Sequence, residues 1–349
     1  MKKYVPYLFL LAAVVLSVWA HSMVFDEFIM PTYGNTMIHV ASASHLIEHG
    51  HYPIQDDYSY GGGVPNLYVP VFRFAYAEAV MLTGLSFDLV GRLIVMLYAV
   101  LVALGFYLLG RELAGEWAGI ASAFLASTIP ELLIYTVRPL PQGLGLALLP
   151  IALYLIAKSD WKRASLVTVI TVLAHQEAGV FLVGCAFAYA VVEAIRGSLA
   201  AGRIKVNEAA RRAFACWAAG VAAYFAWHFF ATGNFNVFDL AQFQHHEGGK
   251  VTFDLLFDKA GKSVLALGVI GVAAAAFELI KKPLAVKPIL LLLLASVAVG
   301  VFCMFNDLVG IAVFMDRFIV FFAIVLIPLA GCGLVKIVEM ASSAVNRFT

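Results

Sequence analysis

Apolar runs of bilayer-crossing length recur along almost the whole chain, and no other property constrains its fold so tightly. They fall at about 4–24, 88–109, 116–136, 141–157, 163–175, 178–195, 213–231, 263–280, 288–305 and 318–339. A hydrocarbon core about 30 Å thick takes about 20 helical residues to cross and admits no open backbone hydrogen bonds. Composition agrees: 62% of the 349 residues are hydrophobic and 13% are charged, against about half and a quarter in soluble domains. The formal net charge of +1 excludes an electrostatic nucleic-acid binder, which needs a concentrated basic face. The expectation is an all-α polytopic membrane protein with about ten transmembrane helices.

Met1-Lys2-Lys3 followed by an apolar stretch reads as a retained first span acting as a signal anchor, since no small-residue cleavage site precedes Asp26. Cys185, Cys216, Cys303 and Cys332 each lie inside an apolar run, without CxxC or metal-type spacing, and read as free thiols. Segment 67–85 is the ambiguous one, because Pro70, Arg73 and Glu78 are awkward on a lipid-facing crossing. If it does not cross and the N-terminus is cytoplasmic, sixteen Lys and Arg residues fall inside and seven outside. The positive-inside rule therefore favours this parse. Both termini are then cytoplasmic and the protein is integral to the cell membrane. Three outer segments result, 25–87, 232–262 and 306–317, within one unit covering 1–349 that lacks an internal repeat or soluble domain.

The first outer segment carries apolar Met37, Ile38, Ala41, Leu46 and Ile47 at helical spacing, closed by Gly50 and Pro53. That predicts an amphipathic helix over 36–49 with His39, Ser42 and His49 turned away from its greasier side. Segment 67–85 is expected to be a second helix, held at the membrane surface by Arg73 and Glu78, so that both are interfacial. Asp26-Glu27 stands just outside the first span. The pair is either a cap on the following turn, or a general base or metal site. Asp56-Asp57 precedes a glycine run and reads as turn chemistry or as a polar binding pair.

Arg138 and Arg317 lie on the side where the positive-inside rule disfavours them. A guanidinium fork suits a phosphate headgroup, and the alternative for Arg317 is an ion pair with Asp316 or Asp307. His175-Gln176-Glu177 falls between two apolar runs, where a charge needs a partner. His245-His246-Glu247 offers metal-ligand chemistry, although adjacent side chains rarely converge on one ion.

Taken together, this arrangement resembles the GT-C membrane glycosyltransferases, which include protein O-mannosyltransferases, aminoarabinose transferases and the catalytic oligosaccharyltransferase subunit. The resemblance rests on Asp26-Glu27 after the first helix, on "GNTMIHVASASHLIEHGHYP" followed by "YVPVF", and on "RPLPQGL", "LAHQEAG" and "MDRFIVFFAIVLIPLAGCGL". It implies a GT-C-like fold with two interfacial helices in the first outer loop. It also implies transfer of a sugar from a polyprenyl-phosphate carrier, dolichyl or undecaprenyl, to a glycan, lipid or protein acceptor on the extracytoplasmic face. Asp26 or Glu27 would then act as base or metal ligand, with Mg or Mn as the candidate divalent cofactor. Arg317 would contact the carrier phosphate, and Arg138, His39, Asp56, Asp57, His175 and Glu177 are further candidates for substrate binding. His245, His246 and Glu247 are further metal candidates.

Two positions depart from the family pattern: related sequences commonly carry Asp where this chain has Asn35, and Glu where it has Gln142. Neither amide can serve as a base. The rival readings are a non-catalytic membrane subunit bound to a protein partner, and a transporter or flippase for a lipid-linked sugar.

Overall fold

The computed structural model describes residues 4–30, 35–56, 64–235 and 249–348. Helix α1 (Val5–Ser22) continues through the short α2 (Val24–Glu27) and leads into α3 (Thr36–His49). Gln55–Asp56 and Val64–Pro65 then pair as a two-residue antiparallel ladder ahead of α4 (Val71–Thr83). Beyond it come α5 (Phe87–Ala114), α6 (Glu116–Ala126), α7 (Pro130–Thr136), α8 (Pro141–Ala157), α9 (Trp161–Ala174) and α10 (Gln176–Ala201). The rest of the chain forms α11 (Glu208–Thr232), α12 (Phe253–Ala260), α13 (Lys262–Lys281), α14 (Pro288–Met304) and α15 (Phe318–Phe348).

Helix boundaries follow local chemistry. Proline opens α1, α7, α8 and α14 in the first turn, where a missing N–H costs nothing. Asp160, Asn207 and Thr252 accept from backbone N–H groups at the starts of α9, α11 and α12. Gly50 closes α3 at φ +72°, a left-handed conformation open to glycine at little cost.

Each apolar run identified in the sequence is largely helical, and among the described residues six helices are long and apolar enough to cross a membrane. They are Val5–Glu27, Phe87–Ala114, Gln176–Ala201, Glu208–Thr232, Lys262–Lys281 and Met315–Val345. A seventh is available if α6 and α7, bent by 71° at their break, form one broken span. Helices α8 and α14 have 17 residues each, about 25 Å at 1.5 Å per residue, and α9 has 14. Helices α8 and α14 are apolar, and each of the three is shorter than the about 20 residues a typical crossing takes.

Among the described residues the larger of two hydrophobic clusters runs from Val40 of α3 to Ala330 of α15, and a smaller one joins Ala13 of α1 to Tyr107, Ile120 and Ala123 of α5 and α6. Helix α15 is the axis of the larger: 78% of its most apolar stretch is buried, against 17% for α1 at the periphery. Helices α13 and α15 approach until backbones touch. A Cβ on Gly271 would overlap the Leu329 carbonyl, and one on Gly333 would lie 2.5 Å from the Leu267 carbonyl oxygen. Small residues at such crossings let helices gain dispersion contact where no water is available to drive association.

The bundle has two chemically distinct ends. At one end, Lys287 donates to Leu113 O at 2.9 Å, Arg212 to Ser159 O at 2.9 Å and Arg196 to Val286 O at 3.0 Å. These contacts tie together the basic links between helices. The opposite end gathers the N-terminal turns of α3, α8, α10 and α15.

Candidate functional site

A cleft of about 270 Å³ opens at this second end. It is lined by Asn35, the N-cap of α3, His39 of α3, Tyr68 from the loop before α4, and Tyr135 of α7. The turn into α8 adds Arg138, Leu140, Pro141 and Gln142, and the turn before α15 adds Arg317. Three sequence candidates, His39, Arg138 and Arg317, thus converge from positions far apart in the chain, along with Asn35 and Gln142.

Arg317 donates from Nη1 to Oε1 of Glu177 at 2.8 Å, and its guanidinium carbon lies 4.8 Å from the centre of the Phe314 ring. The sequence offers two readings of Arg317, a phosphate contact or an ion pair with Asp316 or Asp307; the ion pair formed is with Glu177. Asp316 instead faces Lys259 at 3.5 Å, and Lys259 also holds Glu131 at 3.0 Å. The reason is local: Met315–Arg317 forms a 3-10 turn, in which successive side chains diverge by about 120°. Burial alone would lower the pKa of Lys259, but hydrogen bonding to Glu131 and the charges of Glu131 and Asp316 hold it raised. The Glu177 side chain is 10% exposed, and its Oε2 has no hydrogen-bond partner among the described residues.

Arg138 is buried, with Nε donating to Ile134 O at 2.8 Å and the guanidinium 5.5 Å from the Tyr135 ring centre. Beside it starts α8, whose N-cap Leu140 provides no side-chain cap. Uncapped N–H groups and the helix macrodipole make such a terminus attractive to anions. Gln142, in the first turn, has a buried Nε2 without a hydrogen-bond partner among the described residues. An amide donor in that position is short of an acceptor.

Behind the lining sits Arg73, which is 1% exposed. The expectation that it anchors α4 at the membrane surface is corrected: it points into the protein, while Glu78 is exposed. Its Nε donates to His39 Nδ1 at 3.2 Å, and Nη1 donates to Tyr52 Oη at 2.6 Å and Asn66 Oδ1 at 3.0 Å. The guanidinium also stands 5.0 Å from the Tyr68 ring centre. All these partners are neutral, and among the described residues Arg73 makes no ion pair. A buried charge is tolerated there because its Nε and Nη1 donors find acceptors and its guanidinium lies near the Tyr68 ring. The sequence flagged Arg73 as awkward for lipid; the missed step was that such a residue turns inward to polar neighbours.

The amphipathic reading of α3 needs a related correction. His39 and Ser42 lie on the buried face with Thr36, Val40, Ala43 and Leu46, while Met37 is 49% exposed. His49 is exposed as expected. With Arg73 inside, the polar face of α3 finds its partners in the interior.

Because His39 Nδ1 accepts from Arg73, the neutral ring carries its proton on Nε2. Burial first, then the charges of Arg73 and His175, hold its pKa well below the ordinary histidine value. His39 therefore offers a donor, not a base. His175 caps α10 by accepting from Ala178 N at 3.4 Å, and its ring centre lies 6.4 Å from that of Tyr68. Its pKa is lowered too, by burial first, with Glu177 opposing and Arg317 adding to the shift. Burial likewise raises the pKa of the Tyr68 phenol.

Asp26 and Glu27 sit on α2, exposed and outside the cleft lining. The backbone of Asp56 joins the two-residue ladder. Asp57, His245, His246 and Glu247 lie outside the described residues. Among the described residues the cleft lining offers two guanidinium groups and two amides but no carboxylate, whereas hard cations such as Mg²⁺ and Mn²⁺ take carboxylate oxygens.

No protein-family model and no curated protein matches this chain. Solved structures do. The chain superposes on an apo crystal structure of the Archaeoglobus fulgidus oligosaccharyltransferase with a TM-score of 0.67 at 15% identity, over 99% of this chain and 52% of that one. A structure of the same organism's oligosaccharyltransferase AglB, in complex with an inhibitory peptide and a dolichol-phosphate, gives 0.66 at 15% identity, over 100% and 52%. A third, in complex with Zn and sulfate, gives 0.61 at 17% identity, over 95% and 49%. The chain spans about half the length of the structures it matches, and the likeness at this identity is one of fold. The fold that the sequence motifs imply thus agrees with that of the matched half of these oligosaccharyltransferase structures.

Proposed function

We propose, for a chain with the fold of half an archaeal oligosaccharyltransferase, a glycosyltransferase that moves a sugar from a polyprenyl-phosphate carrier to an extracytoplasmic acceptor. The observation that carries this reading is the convergence of Arg138, Arg317 and the uncapped N-terminus of α8 on one cleft. Two guanidinium forks and a helix N-terminus suit a phosphate group. That one similar structure is of a complex with a dolichol-phosphate is consistent with this class of donor.

In an inverting displacement the acceptor oxygen attacks the anomeric carbon, and the carbon–oxygen bond to phosphate breaks with its electron pair. Arg138, Arg317 and the α8 terminus would stabilise the departing phosphate. Asp26 or Glu27 would take the acceptor proton. The full topology belongs to the same proposal: about ten crossings, two interfacial helices in segment 25–87, both termini cytoplasmic and the cleft outward. The basic links at the opposite end of the bundle agree with it. Acceptors in this reading are a glycan, a lipid or a protein.

A second reading is favoured by one observation: Asn35 and Gln142, the two amides that replace the usual acids, line the same cleft. The chain would then bind the carrier without transferring its sugar, as a subunit of a larger membrane complex. Lipid mass spectrometry on gently purified protein, followed by a transfer assay, separates the two. A co-purifying polyprenyl-phosphate sugar, with turnover lost in Asp26→Asn or Glu27→Gln, supports the enzyme. The carrier without turnover, together with a bound membrane protein, supports the subunit. Bulk phospholipid alone sinks both.

A further inference from the structure

Lys259 takes no part in the cleft lining, yet it joins two of the cleft's walls. It lies at the end of α12, which packs against both α7 and α15. That helix is firmly seated. Thr252 accepts from Leu255 N at 3.2 Å at its start, Leu255 and Leu256 pack on the larger hydrophobic cluster, and Ala260 is buried. From this seat the Lys259 ammonium reaches Glu131 Oε1 at 3.0 Å and Asp316 Oδ2 at 3.5 Å.

Each of these carboxylates stands next to a residue of the cleft. Glu131 and Tyr135 are four positions apart on α7 and share a face. Asp316 immediately precedes Arg317 in the 3-10 turn. Arg317 is therefore fixed from two directions, at its guanidinium by Glu177 and at its backbone, through Asp316, by Lys259. Without the ammonium between them, Glu131 and Asp316 would be like charges close together, with Glu131 too buried for water to screen the repulsion well. The two walls would then be pushed apart.

From this geometry we infer that Lys259 is a positioning residue: by bridging Glu131 and Asp316 it sets the spacing between the Tyr135 wall and the Arg317 wall of the cleft. Its action on the ligand, which rests on the phosphate reading of the cleft, passes through Arg317. A misplacement of about 1 Å in such a site can cost about 100-fold. The bridge also ties the second outer segment, 232–262, to the site.

The test compares native full-length protein in detergent with Lys259→Arg and with Lys259→Met/Glu131→Gln. The double variant cuts the bridge, keeps the net charge and leaves no buried carboxylate without its partner; Asp316, the more exposed of the two acids, stays hydrated. Affinity for undecaprenyl phosphate should fall about 10-fold or more in the double variant and stay close to native in Lys259→Arg, whose guanidinium can still bridge two acids. Amide hydrogen exchange should quicken in the double variant over 130–137 and 315–318, but not where α13 crosses α15. Unchanged exchange at both walls, or faster exchange throughout the molecule, would overturn the bridge. Native affinity in the double variant, or an equal loss in Lys259→Arg, would overturn the positioning role. If the native protein itself fails to bind undecaprenyl phosphate, the phosphate reading of the cleft falls, and the exchange pattern alone decides whether Lys259 holds its walls.

Discussion

Arg317 and Glu177, 140 positions apart, meet at 2.8 Å beside the cleft. The pair ties the start of α15 to the start of α10. It leaves a half-exposed guanidinium at the cleft and a carboxylate with one oxygen unsatisfied among the described residues. Arg317 therefore has two jobs in the proposed enzyme, holding Glu177 and receiving phosphate.

Those jobs separate by mutation. Arg317→Ala should weaken carrier binding and also destabilise the protein by about 1–3 kcal/mol, since a buried carboxylate loses its partner. Arg317→Ala/Glu177→Gln should regain much of the thermal stability but none of the binding. Thermal unfolding and retention of polyprenyl-phosphate lipid on both variants decide this. Equal lipid retention by the double variant and the native protein would remove Arg317 from the site.

Arg73→Ala should cost about 3 kcal/mol, because Asn66 and Tyr52 lose a donor in the interior. Arg73→Lys should recover only part of that, as an ammonium cannot reproduce a fork that reaches His39, Tyr52 and Asn66 together. Melting temperatures in detergent measure both. A native value for Arg73→Ala would contradict the buried-cation description.

Stability should fall on acidification below about pH 6.5 through His39. Its folded-state pKa is depressed, whereas in the unfolded chain it titrates at about 6.5. The unfolded state therefore binds more protons in this window, and the contribution present above about pH 6.5 is lost as pH falls toward the folded value. A His39→Gln variant keeps an acceptor for Arg73 and should show a flatter pH–stability curve. Identical slopes for the variant and the native protein would argue against a buried neutral His39.

At the crossing of α13 and α15, Gly271→Ala should destabilise by at least about 1–3 kcal/mol, since the new methyl meets the Leu329 carbonyl and the helices must part. Gly268→Ala, one turn earlier, places its methyl no closer than 3.4 Å to the Leu326 side chain and should be tolerated. Comparable melting temperatures for the two variants would show that the helices do not touch there.

Much of this protein was legible in one dimension. Apolar runs determined which stretches are helical, because a bilayer leaves the backbone no other way to satisfy its hydrogen bonds, and proline, glycine and capping residues set helix ends. The motifs around His39, Arg138 and Arg317 drew attention to residues that meet in one cleft. Side-chain direction was not legible in the same way. Spacing put His39 and Ser42 on the polar side of α3, yet that side is buried, since the interior holds an arginine that needs acceptors. Sequence proximity likewise suggested Asp316 as the partner of Arg317, where a 3-10 turn sends the two apart. Local pattern reports what a residue costs in lipid or water; which neighbours it finds depends on contacts between helices more than a hundred residues apart, and only the packed bundle decides those.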